Sequence, residues 1–260
     1  RVLFRSRLCT SFGSVSNDLC RALADFAKRI STERVSHNHL DAYLACRLIP
    51  LDKRPGVRPI GICEVARRIV GKAVLSVVGR DVQQAAGALQ LCAGQPCGIE
   101  AAIRGMRQVF EDANTEALLL VDASNTFNQL NRQAALHNIS QLCPALSTLL
   151  WNTYSGPADL FVGGEVLLSK EGTTHGDPLA MCMYALGTVP LIRELKPAGA
   201  TQVWYADDAS GGGPLSKTKA WWDTLVQRGP AYGYFPNATE TWLLVKEQYA
   251  EDAQALFAGT

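Results

Sequence analysis

Short apolar runs separated by polar punctuation set the plan of this chain. Residues 17–30 repeat apolar positions at helical spacing after Ser16, which reads as an N-capped amphipathic helix. Residues 48–51 are strand-like, 52–56 form a turn, and 57–62 return as a second strand. Pro59 cannot donate to a ladder, so that second strand is expected at an edge or to be irregular. Helical periodicity follows over 64–78, a loop over 94–98 and a further helix over 99–110. A five-residue apolar strand at 117–121 ends on Asp122. Helices are expected over 132–139 and 144–154, then a hairpin over 160–168 about Gly163-Gly164. A loop at 172–178 opens a long helix to about Leu195, with Asp177 as its cap. The remainder reads as a strand at 203–205, its partner from Ala209, a helix at 217–228, a strand at 241–246 and a helix at 247–257. The order is mixed, with strands too scattered for a doubly wound parallel sheet, so the fold class is α+β.

Composition narrows this picture. The chain has 260 residues, 47% of them hydrophobic, enough for a full core. No apolar run approaches the roughly 18–20 residues needed to cross a membrane, and no membrane partner is expected. The first residue is Arg1 rather than Met, so the chain reads as a piece of a longer open reading frame. Eight cysteines are present without a Cys-x-x-Cys pair, and the four histidines lie apart from them. That spacing disfavours zinc and suggests buried thiols at Cys46, Cys63, Cys143 and Cys182 in a reducing, intracellular compartment. The net charge of +1 hides an asymmetry: residues 1–80 carry 15 Lys and Arg against 6 Asp and Glu, whereas 81–260 carry 10 against 18. A basic first third suits phosphate contacts, although ordinary surface solvation would also produce it.

The acidic part holds the candidate chemistry. Tyr205-Ala206-Asp207-Asp208 places two carboxylates at a hairpin tip, and Asp122 ends an apolar strand. A carboxylate ending a buried run is costly unless paired or bound to a cation. Clustered carboxylate oxygens at strand ends suit Mg²⁺, and a pair of such ions drives nucleotidyl transfer. The plainer alternative is that Asp208 caps a turn and Asp122 starts a helix.

The order of the motifs separates these readings. Asp122-Ala-Ser-Asn-Thr-Phe127 is followed by Glu171-Gly-Thr-Thr-His-Gly-Asp-Pro-Leu-Ala-Met181, then Tyr205-Ala-Asp-Asp208, then Gly233-Tyr-Phe-Pro-Asn-Ala-Thr-Glu-Thr-Trp242. This series resembles the palm of a reverse transcriptase, an RNA-directed DNA polymerase. Leu48-Ile-Pro-Leu-Asp-Lys-Arg-Pro-Gly-Val-Arg-Pro-Ile60 resembles that family's fingers hairpin. The phrasing is most similar to the reverse transcriptases of eukaryotic retrotransposons, over roughly residues 45–250. The resemblance implies a right-hand fingers–palm fold whose small antiparallel sheet is backed by helices. It divides the chain into an N-terminal helical extension (1–44), fingers and connection (45–116) and palm (117–260), with the 155–180 hairpin and loop at the boundary and the thumb absent or truncated.

The resemblance also implies roles. Asp122, Asp207 and Asp208 would be catalytic and, with the Ala123 carbonyl, would hold two Mg²⁺ ions, replaceable by Mn²⁺. Lys53, Arg58, Phe127 and Gly172 would contact the incoming dNTP, with the Phe127 ring excluding a 2′-hydroxyl. Tyr205, Gly176, Arg67, Arg68 and Lys72 would face primer or template, while Arg54 has no assigned role. The implied partners are an RNA/DNA template–primer duplex, dNTPs and neighbouring polyprotein domains, in the nucleus or cytoplasm of a eukaryotic host.

Two positions depart from the family pattern. His175 stands where Gln is usual, and Glu240 stands where relatives commonly carry a Lys proposed to protonate the leaving pyrophosphate. Two further functions therefore stay open, a decayed domain that binds nucleic acid without catalysis and an RNA-dependent RNA polymerase.

Overall fold

The structure, a computed structural model, describes residues 7, 9–53 and 56–260; Arg54 lies outside the described residues, as do residues 1–6 and 8 of the N-terminal extension. Helix α1 (Ser14–Thr32) and the short α2 (Asp41–Leu44) precede the hairpin β1 (Cys46–Asp52) and β2 (Val57–Cys63). Helices α3 (Val65–Ala86) and α4 (Gly98–Glu111) lead to β3 (Ala117–Val121), α5 (Thr126–Gln129), α6 (Arg132–Leu142) and α7 (Pro144–Tyr154). A hairpin of β4 (Ala158–Val162) and β5 (Glu165–Ser169) precedes α8 (Ala180–Leu195). The chain closes with β6 (Thr201–Tyr205), β7 (Asp208–Gly213), α9 (Leu215–Arg228), β8 (Trp242–Val245) and α10 (Ala250–Leu256).

Two four-stranded sheets result. The palm sheet runs β6-β7-β3-β8 and is antiparallel throughout. The other runs β2-β1-β4-β5, with β1 parallel to β4, so the 158–169 hairpin extends the β1–β2 hairpin across the expected domain boundary. Pro59 sits on β2, an edge strand, opposite Pro50. Helix α4 packs against β6 and β7, which ties it to the β6-β7-β3-β8 sheet.

Several local expectations shift for identifiable reasons. Ser16 lies inside α1, whose N-cap is Gly13, and the Ser16 hydroxyl accepts from the Phe12 amide at 3.0 Å. Helix α3 runs past Gly79 because Val82 and Ala86 continue its buried stripe for two more turns. Asp177 is not the cap of α8: the helix opens at Ala180 with Leu179 as its N-cap, and Asp177 accepts from the Leu179 amide at 2.8 Å in a turn that precedes it.

Helix α8 is apolar nearly all round, and it threads two cores. Met183, Leu186 and Val189 join the core shared by α1, α3, α6 and α7. Leu191, Ile192 and Leu195 join the core beneath the palm sheet, with Trp204 and Trp221. The two indole N–H groups both donate to the Gln202 side-chain oxygen at 3.0 Å, while the Gln202 amide donates to the Ile192 carbonyl at 2.8 Å. One buried amide thus satisfies both tryptophans and fastens the sheet to α8. Asn152 does the same for the N-terminal extension: its amide donates to the Ile30 and Glu33 carbonyls at 2.8 Å, and its oxygen accepts from the Val35 amide at 3.1 Å.

A buried ion pair joins the two halves. Arg67 of α3 is 2% exposed and Asp177 is 6% exposed. The Asp177 carboxylate accepts from the Arg67 guanidinium through Nε at 3.1 Å and through Nη2, and from the Tyr154 hydroxyl at 2.7 Å. Arg67 also donates to the Leu44 carbonyl at 3.0 Å. Burial and the neighbouring Asp177 push the Tyr154 hydroxyl well above its usual range, so it stays a donor. Removing one partner strands a charge in the interior, so Asp177→Leu should destabilise the fold by about 3–5 kcal/mol in urea denaturation. The double variant Arg67→Met/Asp177→Leu should recover much of that loss; a double variant as unstable as the sum of the singles would refute a coupled pair.

Candidate active site

Pairing in the palm sheet brings the candidate carboxylates to one end. Val121 is opposite Ala209 and Tyr205 is opposite Asp208. Asp122, just beyond β3, therefore neighbours Asp208 at the start of β7. Only Ala206 and Asp207 lie between the paired residues Tyr205 and Asp208. Ala206 has φ 54° and Asp207 does not share a positive φ, the backbone signature of a type II′ hairpin, which usually places Gly first.

An alanine there is strained, and buried partners hold it. Gln90, fully buried, accepts from the Ala206 amide at 2.9 Å and donates to the Ala206 carbonyl at 3.0 Å. The Gln90 segment reaches this position by pairing alongside β6: Leu91 donates to the Trp204 carbonyl at 2.8 Å, and Trp204 donates to the Leu89 carbonyl at 3.0 Å. The Tyr234 hydroxyl donates to the Asp207 carbonyl at 2.8 Å, and the Thr126 hydroxyl donates to the Asp207 carboxylate at 2.7 Å. None of Gln90, Thr126 or Tyr234 was singled out by the motifs. A lone amide between Leu89 and Leu91 is the signal that could have marked Gln90, since a buried amide must find partners.

The electrostatics are those of crowded carboxylates. Burial raises the Asp208 carboxyl above its usual range, and the charges of Asp207 and Asp122 raise it further. Burial also raises Asp122, helped by a hydrogen bond and like charge from Glu240, while Lys53 opposes the rise. Asp122, Asp208 and Glu240 line a cavity of about 390 Å³ with Trp242. Glu240 accepts from the Asn237 amide at 3.0 Å. Asp122 and Ser124, through their own backbone groups, pair with the 235–237 segment, leaving Ala123 between them. Among the described residues, no three His, Cys, Asp or Glu side chains close on one point as a ready cation cage. The donor chemistry nonetheless fits a hard divalent cation: the groups are all carboxylates, and two of them are penalised by burial and mutual repulsion that such a charge would relieve.

The remaining residues fall into three groups. Lys53 and Arg58 are exposed on the β1–β2 hairpin, and both act electrostatically on the palm end, Lys53 on Asp122 and Arg58 on His175. Burial lowers the His175 ring, Arg58 lowers it further, and Asp207 opposes both, so His175 is neutral at pH 7. Phe127 is half-buried and stacks on Tyr184 with ring centroids 4.4 Å apart, with His175 at 5.3 Å.

The second group has structural work. A Cβ on Gly172 would lie 2.3 Å from the Asn128 backbone, and one on Gly176 would lie 2.4 Å from the Gly61 carbonyl. The close approach that requires glycine is therefore to the chain itself. Arg67 is sequestered by Asp177 and cannot reach a template. The third group is surface or groove: Arg68 is half-buried, Lys72 is exposed, and Tyr205 lines an apolar groove of about 510 Å³ between α4 and the palm sheet.

No family model matches the chain, and no curated protein matches it. Solved structures do. An apo telomerase from Candida tropicalis truncated from its C-terminal domain superimposes with a TM-score of 0.62 at 16% identity, covering 86% of this chain and 54% of that one. A telomerase from Candida albicans in complex with a TWJ fragment of telomeric RNA gives 0.60 at 10% identity, covering 90% and 46%. A second apo telomerase from Candida tropicalis gives 0.60 at 13% identity, covering 91% and 50%. The chain thus spans about half the length of these proteins. What is shared at such identity is the fold, and the fold is that of a reverse-transcriptase-like polymerase.

The clamp on the hairpin tip has a local signature. Gln90→Leu leaves the amide and carbonyl of Ala206 buried and unpaired, at a cost of about 1–3 kcal/mol each. Hydrogen exchange should rise selectively in peptides covering 203–210 while α8 stays protected. A uniform rise across the chain would show that Gln90 supports the core in general and not the turn.

Proposed function

We propose that this chain is a reverse transcriptase domain that extends a nucleic-acid primer on an RNA template by transfer of dNMP. One observation carries the reading: within a polymerase fold, Asp122 and the Asp207-Asp208 turn sit on adjacent strands, with the turn fixed from below by Gln90. In the reaction the primer 3′-hydroxyl forms a bond to the α-phosphorus of the dNTP as the bond to the leaving pyrophosphate breaks. Asp122, Asp207 and Asp208 would hold two Mg²⁺ ions, which when bound activate that hydroxyl and offset charge on the leaving oxygens. Lys53 and Arg58 supply cations to the triphosphate, Arg58 with a fork suited to two oxygens. Phe127, braced by Tyr184, stands five residues after Asp122 as the ring that excludes a 2′-hydroxyl.

The Candida albicans telomerase carries an RNA fragment, and a nucleic-acid partner is the corresponding reading here. The motif phrasing supports an origin in a retrotransposon polyprotein acting in the nucleus or cytoplasm. A second reading has its own support. Glu240 puts a further negative charge beside Asp122 where relatives place a cation, which favours a decayed domain that binds nucleic acid without extending it.

Primer extension with Mg²⁺ or Mn²⁺ decides between them. The polymerase reading expects extension that is abolished by Asp122→Asn or Asp207→Asn with duplex binding retained, and faster extension in Glu240→Lys. Duplex binding without extension, in wild type and in Glu240→Lys alike, selects the binding domain.

Sugar selection tests the third expected role. Phe127→Ala should raise kcat/KM for rNTPs relative to dNTPs by about tenfold or more, the worth of removing one steric clash of about 1–3 kcal/mol. An unchanged ratio would remove Phe127 as the gate. A wild-type domain that already prefers rNTPs would point instead to an RNA polymerase.

A further inference from the structure

We infer that the cleft between α6 and α7 binds single-stranded polynucleotide, as a second contact apart from the carboxylate end of the palm. The cleft has a volume of about 440 Å³, in the range of sites for small organic units, and shares no lining residue with the Asp122 cavity. Arg34, His137, Trp151 and Lys170 are exposed at its rim, as is Glu171, and buried Arg132 and Tyr154 lie within it.

Its charge is unbalanced in favour of an anion. Arg132 donates to the carbonyls of Gly172 at 2.8 Å, Gly156 at 3.2 Å and Ser169 at 2.9 Å, and to the Ser169 hydroxyl at 2.6 Å. All four acceptors are neutral, and Glu171 is the carboxylate that acts on the guanidinium, which leaves Arg34 and Lys170 as the cleft's uncompensated cations. Glu171, the one carboxylate of the cleft, accepts from the Arg132 backbone amide at 3.1 Å. Among the described residues, no carboxylate forms an ion pair with Arg34 or Lys170.

Its rim adds an aromatic platform. Trp151 is 42% exposed although its neighbours Leu149, Leu150, Asn152 and Thr153 on α7 are buried. The Arg34 guanidinium lies over its ring, 3.9 Å from the centroid. The guanidinium is already in contact with that ring and leaves no room for a base between the two, so a base would stack on the outer face of the Arg34–Trp151 pair, with Lys170 of the same cleft free for a phosphate. An acidic peptide would use the charge and leave the aromatic face idle. The inference rests on the nucleic-acid reading of the fold, and it adds a particular site to it.

The test measures anisotropy of fluorescein-labelled single strands of about 12 nucleotides, RNA and DNA, with the full chain over a salt series. Trp151→Ala should weaken binding about tenfold, and Trp151→Phe should retain most of it. Arg34→Gln/Lys170→Gln should reduce the slope of log K against log salt by about 1.4, the value for two lost phosphate contacts on a single strand. Weakening with RNA alone would assign the site to RNA, and weakening with both strands would assign it to either. Unchanged binding of both strands in the natively folded variants would overturn the inference, as would displacement of the wild-type complex by poly-glutamate at equal charge. Extension on a pre-annealed duplex is followed in parallel. Its dependence on Asp122 and Asp207 reports the polymerase reading separately, so failure of the cleft and failure of the active site give different results.

Discussion

The buried contact between Arg67 and Asp177 organises the structure. It joins α3 to the loop that opens α8, through the Tyr154 hydroxyl and the Leu44 carbonyl it reaches α7 and the end of α2, and through the Cys46 sulfur it reaches the start of β1. A charge pair of this kind gains little over a hydrophobic substitute in stability alone. Its geometric demand is strict, because a guanidinium fork and a carboxylate with three donors accept few arrangements. The 172–178 loop is thereby tied to the β1–β2 hairpin, and the cations of that hairpin are held where Lys53 and Arg58 influence the carboxylate end of the palm.

The palm end shows the same economy. Its three aspartates are crowded, and the carboxyls of Asp122 and Asp208 are raised above their usual range by desolvation and by neighbouring carboxylates. The surroundings are arranged for position: Gln90 on the Ala206 backbone, Tyr234 on the Asp207 carbonyl and Thr126 on the Asp207 carboxylate. A strained turn held by three independent donors and acceptors is rigid before any substrate arrives.

Much of this was legible in the sequence, and the limits have physical causes. Strand and helix positions follow from apolar periodicity, which is a local property, and Pro59 marks its strand as an edge because a missing N–H is local too. The carboxylate end is legible because Asp122 and Asp207-Asp208 each terminate an apolar run. Gln90 escapes because its partner Ala206 is 116 residues away, and a lone glutamine states a need without naming what meets it. Arg67 misleads for the opposite reason: a cation beside Arg68 on a helix resembles a phosphate contact, and only the tertiary fold brings Asp177 across 110 residues to bury it. Gly172 and Gly176 are correctly read as places of close backbone approach, but the neighbour is Asn128 in one case and Gly61 in the other.

Helix α8 carries a mechanical consequence. Its first half is embedded in the helical core and its second half beneath the palm sheet, with no exposed face along most of its length. Pro190, which takes one hydrogen bond out of the helix interior, falls between the two cores, after Val189 and before Leu191. Any bending of the helix would be concentrated at this proline, so the joint between the two cores lies inside the helix they share and not in a loop between them.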